Sequence, residues 1–152
     1  MRINIIAIGR IKERYFADAV EEYVKRCSRF GDLKIIELPD APSGKSAEEQ
    51  KRIESAALLD RAKGYIVAMD GIGEQVTSEA LAALISAKGV EGAKEISFLI
   101  GGSHGHTDEL RSRADKVISF GKITLPHQLF RVVLCEQIYR ALTIIAGTPY
   151  NK

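Results

Sequence analysis

The residues best suited to chemistry lie between Glu95 and Tyr150. All three histidines fall there (His104, His106 and His127), with Ser103, Arg131, Glu136, Tyr139, Arg140 and Tyr150. Gly101-Gly102-Ser103-His104-Gly105 matches the spacing of a serine-nucleophile elbow, and Asp115 and His127 follow it in hydrolase order. Against that reading, the chain is short for such a hydrolase and no oxyanion-loop signature precedes the turn. The glycines are better explained by backbone contact with a ligand, because no Cβ stands in the way. A hydrolase using Ser103 stays as the rival. His104 and His106 have no Cys, Asp or Glu at ligand spacing, so no metal site is predicted. His127 and Arg131 stand four apart at the start of a helix, near the glycine turn, and are the candidate catalytic pair. Glu136 and Arg140 share that spacing, which suits either a helix-surface ion pair or a functional one. Tyr139 and Tyr150 either pack together or stack on a base. Gly71-Ile72-Gly73 opens like a dinucleotide fingerprint, but Val76 stands where the third glycine belongs, so the stretch reads as a turn.

Strands must hold these groups. Apolar runs at Ile3–Ile8, Leu33–Leu38, Tyr65–Met69, Ile96–Ile100 and Val117–Phe120 read as buried strands. Between them lie helical segments. Tyr15 to Phe30 ends at Gly31. A helix to about Ala62 begins after Ser46, with Glu49 completing a capping box. Thr77 caps a helix that Gly89 ends, and Thr107 caps a short one from Asp108 to about Ala114. Pro126 opens the last helix, where its missing N–H costs nothing. Alternating strands and helices predict an α/β fold with a mainly parallel sheet. Ligands bind beyond the carboxyl ends of such strands. Three ends are of interest: Met69-Asp70-Gly71, Ile100-Gly101-Gly102 and Phe120-Gly121-Lys122. The last helix is apolar nearly all round, which requires cover on more than one side. A second copy of the chain is the expected cover, so a homodimer through this helix is predicted.

At 152 residues and 45% hydrophobic, the chain suits one domain over residues 1–152 with a real core. The net charge of +2 argues for no global attraction to nucleic acid, so any basic surface is local. Arg10, Lys12, Arg14, Lys25 and Arg26 are candidates for such a surface. Cys27 and Cys135 read as buried thiols. The N-terminus reads as a strand and not as a signal peptide, and no apolar run approaches the roughly 20 residues that span a bilayer. A cytoplasmic protein without membrane contact is expected.

Longer motifs carry a resemblance. Phe98–Ser103, Phe120–Gln128, Arg131–Ala141 and the ending Pro149-Tyr150 closely resemble the ribosomal RNA large-subunit pseudouridine N3-methyltransferases, of the SPOUT superfamily. Ile8–Lys12 and Ile36–Asp40 fit as well, so the resemblance covers essentially the whole chain. It implies a trefoil-knotted α/β fold, a homodimer, and S-adenosyl-L-methionine bound in the knot. Carried over by position, the implied cofactor contacts are Met69, Gly101, Phe120, Gly121, Lys122, Ile123, Thr124 and Leu125. Met69 stands where relatives often have leucine, and preserves an apolar wall. Gly121 replaces a small polar residue of some relatives. The implied reaction is methyl transfer to N3 of a pseudouridine in large-subunit ribosomal RNA, on the assembled ribosome. Within it His127 and Arg131 are the catalytic candidates, and Arg140 and Tyr150 the RNA-binding ones. A ribosome-binding protein that has kept the fold and transfers nothing is the second rival.

Overall fold

The computed structural model describes residues 1–152. Five strands alternate with five helices: β1 (Arg2–Ile8), α1 (Arg14–Cys27), β2 (Asp32–Leu38), α2 (Ala47–Arg61), β3 (Tyr65–Gln75), α3 (Ser78–Val90), β4 (Glu95–Ile100), α4 (Asp108–Arg113), β5 (Lys116–Ser119) and α5 (His127–Ala146). The strands form one sheet in the order β2-β1-β4-β3-β5, and every pairing is parallel.

Strand alternation divides the core in two. Ile3, Ile5 and Ala7 of β1 face the same side as Phe98 of β4, where Val20, Leu81, Ile85, Leu134 and Ile138 of α1, α3 and α5 cover them. Ile6, Ile8, Ala68 and Leu99 face the other side, under Leu58 of α2 and Leu110 of α4. Sheet residues on both faces are dry, which explains why these strands read as continuous apolar runs. Each fully buried Ile, Leu or Phe contributes about 1.5–3 kcal/mol over its exposed state. Cys27 and Cys135 lie in the larger cluster, and burial pushes both thiols up to about 12.

The three cap residues accept as expected, although at Ser46 only one half of the capping box forms. Ser46 accepts from Glu49 N at 3.2 Å, Thr77 from Ala80 N at 3.0 Å and Thr107 from Leu110 N at 3.1 Å. Each stabilises its helix by about 1 kcal/mol. Three boundaries differ from expectation. α1 ends at Cys27, and Phe30 and Gly31 fold back to donate to the Cys27 carbonyl. Gly89 lies inside α3; the left-handed residue past that helix is Gly92, at φ 89°. The largest difference is β3. The stretch Gly71-Ile72-Gly73 does not end it. The strand bulges after Met69 and returns, so that Ile118 of β5 pairs with both Met69 and Glu74.

α5 packs on α1 and α3 and buries Leu134, Cys135, Ile138, Ala141 and Leu142. Leu129, Val132 and Val133 are only half-buried, and Ile145 is 44% exposed. Apolar surface is therefore left over on this helix. No helix is long and apolar enough to cross a membrane.

Candidate active site

The β3 bulge and the ends of β4 and β5 surround a cavity of about 610 Å³. Met69 at the bulge, with Ile100 and Ile118 near the ends of their strands, supplies apolar wall. Gly101, Gly102 and Gly105 supply a side made of backbone, and Ser119 to Phe130 closes the rest. Every predicted cofactor-contacting residue lines it: Met69, Gly101, Phe120, Gly121, Lys122, Ile123, Thr124 and Leu125.

The glycine turn is built for closeness. It is closed by a bridge between Gly102 and Gly105, the latter at φ 77°. A Cβ on Gly101 would meet the Gly105 carbonyl at 3.1 Å and His106 Cε1 at 3.2 Å; on Gly102 it would meet Glu54 Oε1 at 2.5 Å. A side chain at either position would force these neighbours to shift. Ser103 is exposed, and it makes no hydrogen bond to His127 or Asp115. Asp115 instead accepts from the Ile66 backbone N–H at 2.7 Å. The hydrolase triad is thus not assembled.

A clamp joins two cavity walls. Arg111 donates to Asp70 at 3.0 Å and to the His106 carbonyl at 2.8 Å, and also pairs with Asp108. Asp70 sits at the β3 bulge and His106 in the turn after β4, so the guanidinium ties these loops together. Asp108, then burial, then Asp70 set its pKa, and the net effect is upward. None of Asp70, His106 or Arg111 was singled out from the sequence as a site residue. Asp70 stood at a flagged strand end, which was the available signal. Arg111 carried none, because its partners come from other segments.

The catalytic candidates separate. His127 lines the cavity at the first position of α5, and its Nδ1 is buried without a hydrogen-bond partner. Its Cε1 stands 3.7 Å from where a Cβ on Gly9 would lie, with the Asp40 carboxylate on the same glycine. Arg131 does not reach the cavity. It is wholly buried, donates to Glu37 at 2.8 Å, and also donates to the carbonyls of Ile8 at 3.4 Å and Gly9 at 3.1 Å. Burial lowers its pKa, against the pull of Glu37.

Glu136, Arg140 and Tyr150 form a second cluster outside the cavity. Arg140 holds Glu136 through two bonds of 3.0 Å and Asn151 at 3.1 Å, and lies 4.7 Å from the centre of the Tyr150 ring. Tyr150 packs edge-on against Tyr139 with ring centres 4.7 Å apart. Both alternatives raised from the sequence begin with these contacts: the ion pair forms and the tyrosines pack. Burial raises the Tyr150 pKa, and Glu136 adds to it.

Residues 1–151 match the family described as "Predicted SPOUT methyltransferase". The chain belongs to the SPOUT methyltransferase family. Over 161 residues it is 47% identical to the "Ribosomal RNA large subunit methyltransferase H" of Lactobacillus johnsonii, with 100% of each chain covered. It is 46% identical over 159 residues to the protein of that name from Clostridium beijerinckii, again with 100% of each covered. Among solved structures, a tRNA methyltransferase from Aquifex aeolicus matches 100% of this chain and 75% of its own, with a TM-score of 0.57 at 15% identity. A probable methylase family protein from Haemophilus influenzae matches 99% of this chain and 70% of its own, with a TM-score of 0.53 at 10% identity. At such identities the two structures share the fold. As a family member the chain is a methyltransferase with an α/β, parallel-sheet architecture.

Proposed function

We propose that the chain transfers a methyl group from S-adenosyl-L-methionine to N3 of a pseudouridine in large-subunit ribosomal RNA, acting on the assembled ribosome. The observation that carries this reading is the cavity at the β3 bulge and the ends of β4 and β5, together with full-length relatives named as ribosomal RNA methyltransferases. The cavity suits the cofactor. Met69, Ile100 and Ile118 offer apolar walls to a flat base. The bare backbone at Gly101 and Gly121 offers close approach, and the segment from Phe120 to Leu125 wraps the open side. The group, when bound, supplies an electrophilic methyl carbon on a sulfonium.

The protein's own part is then mostly to hold two reactants in line. The N3 proton of the base must leave, and a positioned acceptor or an electrostatic partner for the resulting anion speeds this. His127, at the cavity with a free Nδ1, is the candidate group to take it. Arg131 has the different role of a positioning residue: it ties α5 to the last carbonyls of β1, beside the glycine that His127 packs against. Arg140 and Tyr150 are assigned to RNA. They lie outside the cavity with a guanidinium stacked on a ring, an arrangement suited to a phosphate or a base. The exposed residues Arg10, Lys12 and Arg14 extend that role. The Lys12 backbone N–H donates to Gln128 at 3.0 Å, which fixes this basic loop beside the start of α5.

Residues 1–152 form one knotted domain in this reading, and α5 joins two copies. The half-buried Leu129, Val132 and Val133 and the exposed Ile145 supply apolar surface for that contact. Sedimentation at micromolar concentration should give twice the chain mass of 16.7 kDa, and a monomer would remove α5 as an interface.

The activity test uses labelled methyl from S-adenosyl-L-methionine. Ribosomes lacking the modification are compared with free large-subunit RNA and with ribosomes lacking pseudouridine. Label on intact, pseudouridine-containing ribosomes alone is expected, with transfer falling as salt is raised because phosphate contacts are screened. Cofactor binding without label anywhere would replace the enzyme by a binding protein.

A further inference from the structure

His106 is a deeply buried polar side chain lining the cavity. It is 3% exposed, and its side chain comes from the turn after β4. Its Nε2 lies 3.2 Å from the Leu99 carbonyl oxygen. A carbonyl only accepts, so Nε2 carries the proton and donates. In a neutral imidazole the other nitrogen is then an acceptor. That atom, Nδ1, is buried and has no partner. An unmatched buried acceptor is costly, and natural sites keep few of them.

The charge state agrees. Burial is the largest influence and lowers the His106 pKa; the Leu99 carbonyl, Asp70 and the Met69 backbone raise it less, and Arg111 adds to the lowering. Asp70 of β3 and Arg111 of α4 neutralise each other at 3.0 Å, so neither forces a charge onto the ring. Gly101 completes the arrangement. A Cβ there would stand 3.2 Å from His106 Cε1, so only glycine leaves the ring edge against the cavity.

The surroundings select the donor. Met69 at the β3 bulge, with Ile100 and Ile118 of β4 and β5, forms apolar cavity wall. An ammonium would be stripped of water among such residues at a large cost. A neutral N–H on a flat, apolar ring would not. We propose that His106 Nδ1 accepts a hydrogen bond from the exocyclic amine of the cofactor's adenine, which makes His106 a specificity-determining residue for the base. This rests on the methyltransferase reading of the same cavity.

Calorimetric titration with S-adenosylhomocysteine and S-inosylhomocysteine tests it. The second carries a carbonyl oxygen in place of the amine, so an acceptor would face an acceptor. The protein should prefer the adenosyl compound, and His106→Leu should shrink that preference about tenfold. His106→Asn, which returns an acceptor near Nδ1, should restore part of it. An equal preference in the parent and in His106→Leu would overturn the assignment. A second readout needs no variant: the ¹⁵N resonance of His106 Nδ1 should move when the parent protein is saturated with S-adenosylhomocysteine, and a fixed resonance overturns the proposal even if His106→Leu does not fold. Failure of the parent to bind either compound would defeat the methyltransferase reading along with this one. Binding with unchanged preference would defeat this one alone.

Discussion

Arg131→Ala is expected to lower the unfolding free energy by about 3 kcal/mol or more. Arg131 has no exposed surface, and its guanidinium joins three elements. It meets Glu37 of β2 at 2.8 Å and the carbonyls of Ile8 and Gly9 at the end of β1, while its backbone belongs to α5. Alanine would leave the two carbonyls without this donor, and a void the length of the side chain. Glu37 moderates the loss, because its side chain is 39% exposed and regains water. The desolvation of Arg131 cuts the other way, since removing a buried charge recovers a cost. The void and the two carbonyls left without a donor outweigh that recovery. In a chain of this size the midpoint of thermal unfolding should fall by about 6–12 °C. Denaturant unfolding should show a lower midpoint with an unchanged slope, as expected of a stability change alone. A midpoint within about 2 °C of the parent would show that α5 is held to β1 by other means. A group acting directly on substrate would instead lose turnover with stability intact, so one pair of measurements separates the two roles.

The contrast between Arg131 and His127 shows what spacing conveys. Four residues apart on a helix means one face, and this placed both residues at the start of α5. It does not say what covers each. Glu37 lies 94 residues earlier in the chain, and only the β1–β2 pairing brings it under α5. By contrast the strands were readable, because a parallel sheet covered on both faces demands apolar runs. The helix starts at Ser46, Thr77 and Thr107 were readable because their caps are local hydrogen bonds. The cavity followed from where β4 and β5 end, while the third flagged end, Met69-Asp70-Gly71, is a bulge within β3. The segment from Phe120 to Leu125 was found by resemblance, since nothing in its own composition marks a ligand site. Arg111 carries no local signal for the same reason as Glu37, and the spacing of His106 speaks only against a metal: each acquires its meaning from residues on another element.

The β3 bulge is the other feature that local signals misplaced, and it sets the second large expected effect. Gly71-Ile72-Gly73 carries the composition of a turn, yet the chain stays extended because β5 lies alongside. Gly73 is the reason it can. A Cβ there would stand 2.7 Å from Ile118 N and from the carbonyl carbon and oxygen of Val117, all backbone atoms that cannot rotate away. Gly73→Ala must therefore push β3 and β5 apart where Ile118 pairs with Met69 and Glu74. Forced overpacking of this kind costs about 1–3 kcal/mol, and the upper end is expected because no side chain can yield. Gly71 is the internal comparison, with nothing within 4 Å of an added Cβ. Gly71→Ala should change stability by less than about 1 kcal/mol, with reduced freedom of the unfolded chain favouring the folded state. The bulge also carries Asp70, the Arg111 partner, into the cavity wall. Gly73→Ala should thus weaken cofactor binding as well as stability, by about tenfold if one wall contact is lost. Denaturant unfolding of both variants, with calorimetric titration of S-adenosylhomocysteine, checks the two effects together. Equal stability of the two variants would mean that β5 yields easily, and the close approach at Gly73 would then not be what holds the bulge in place.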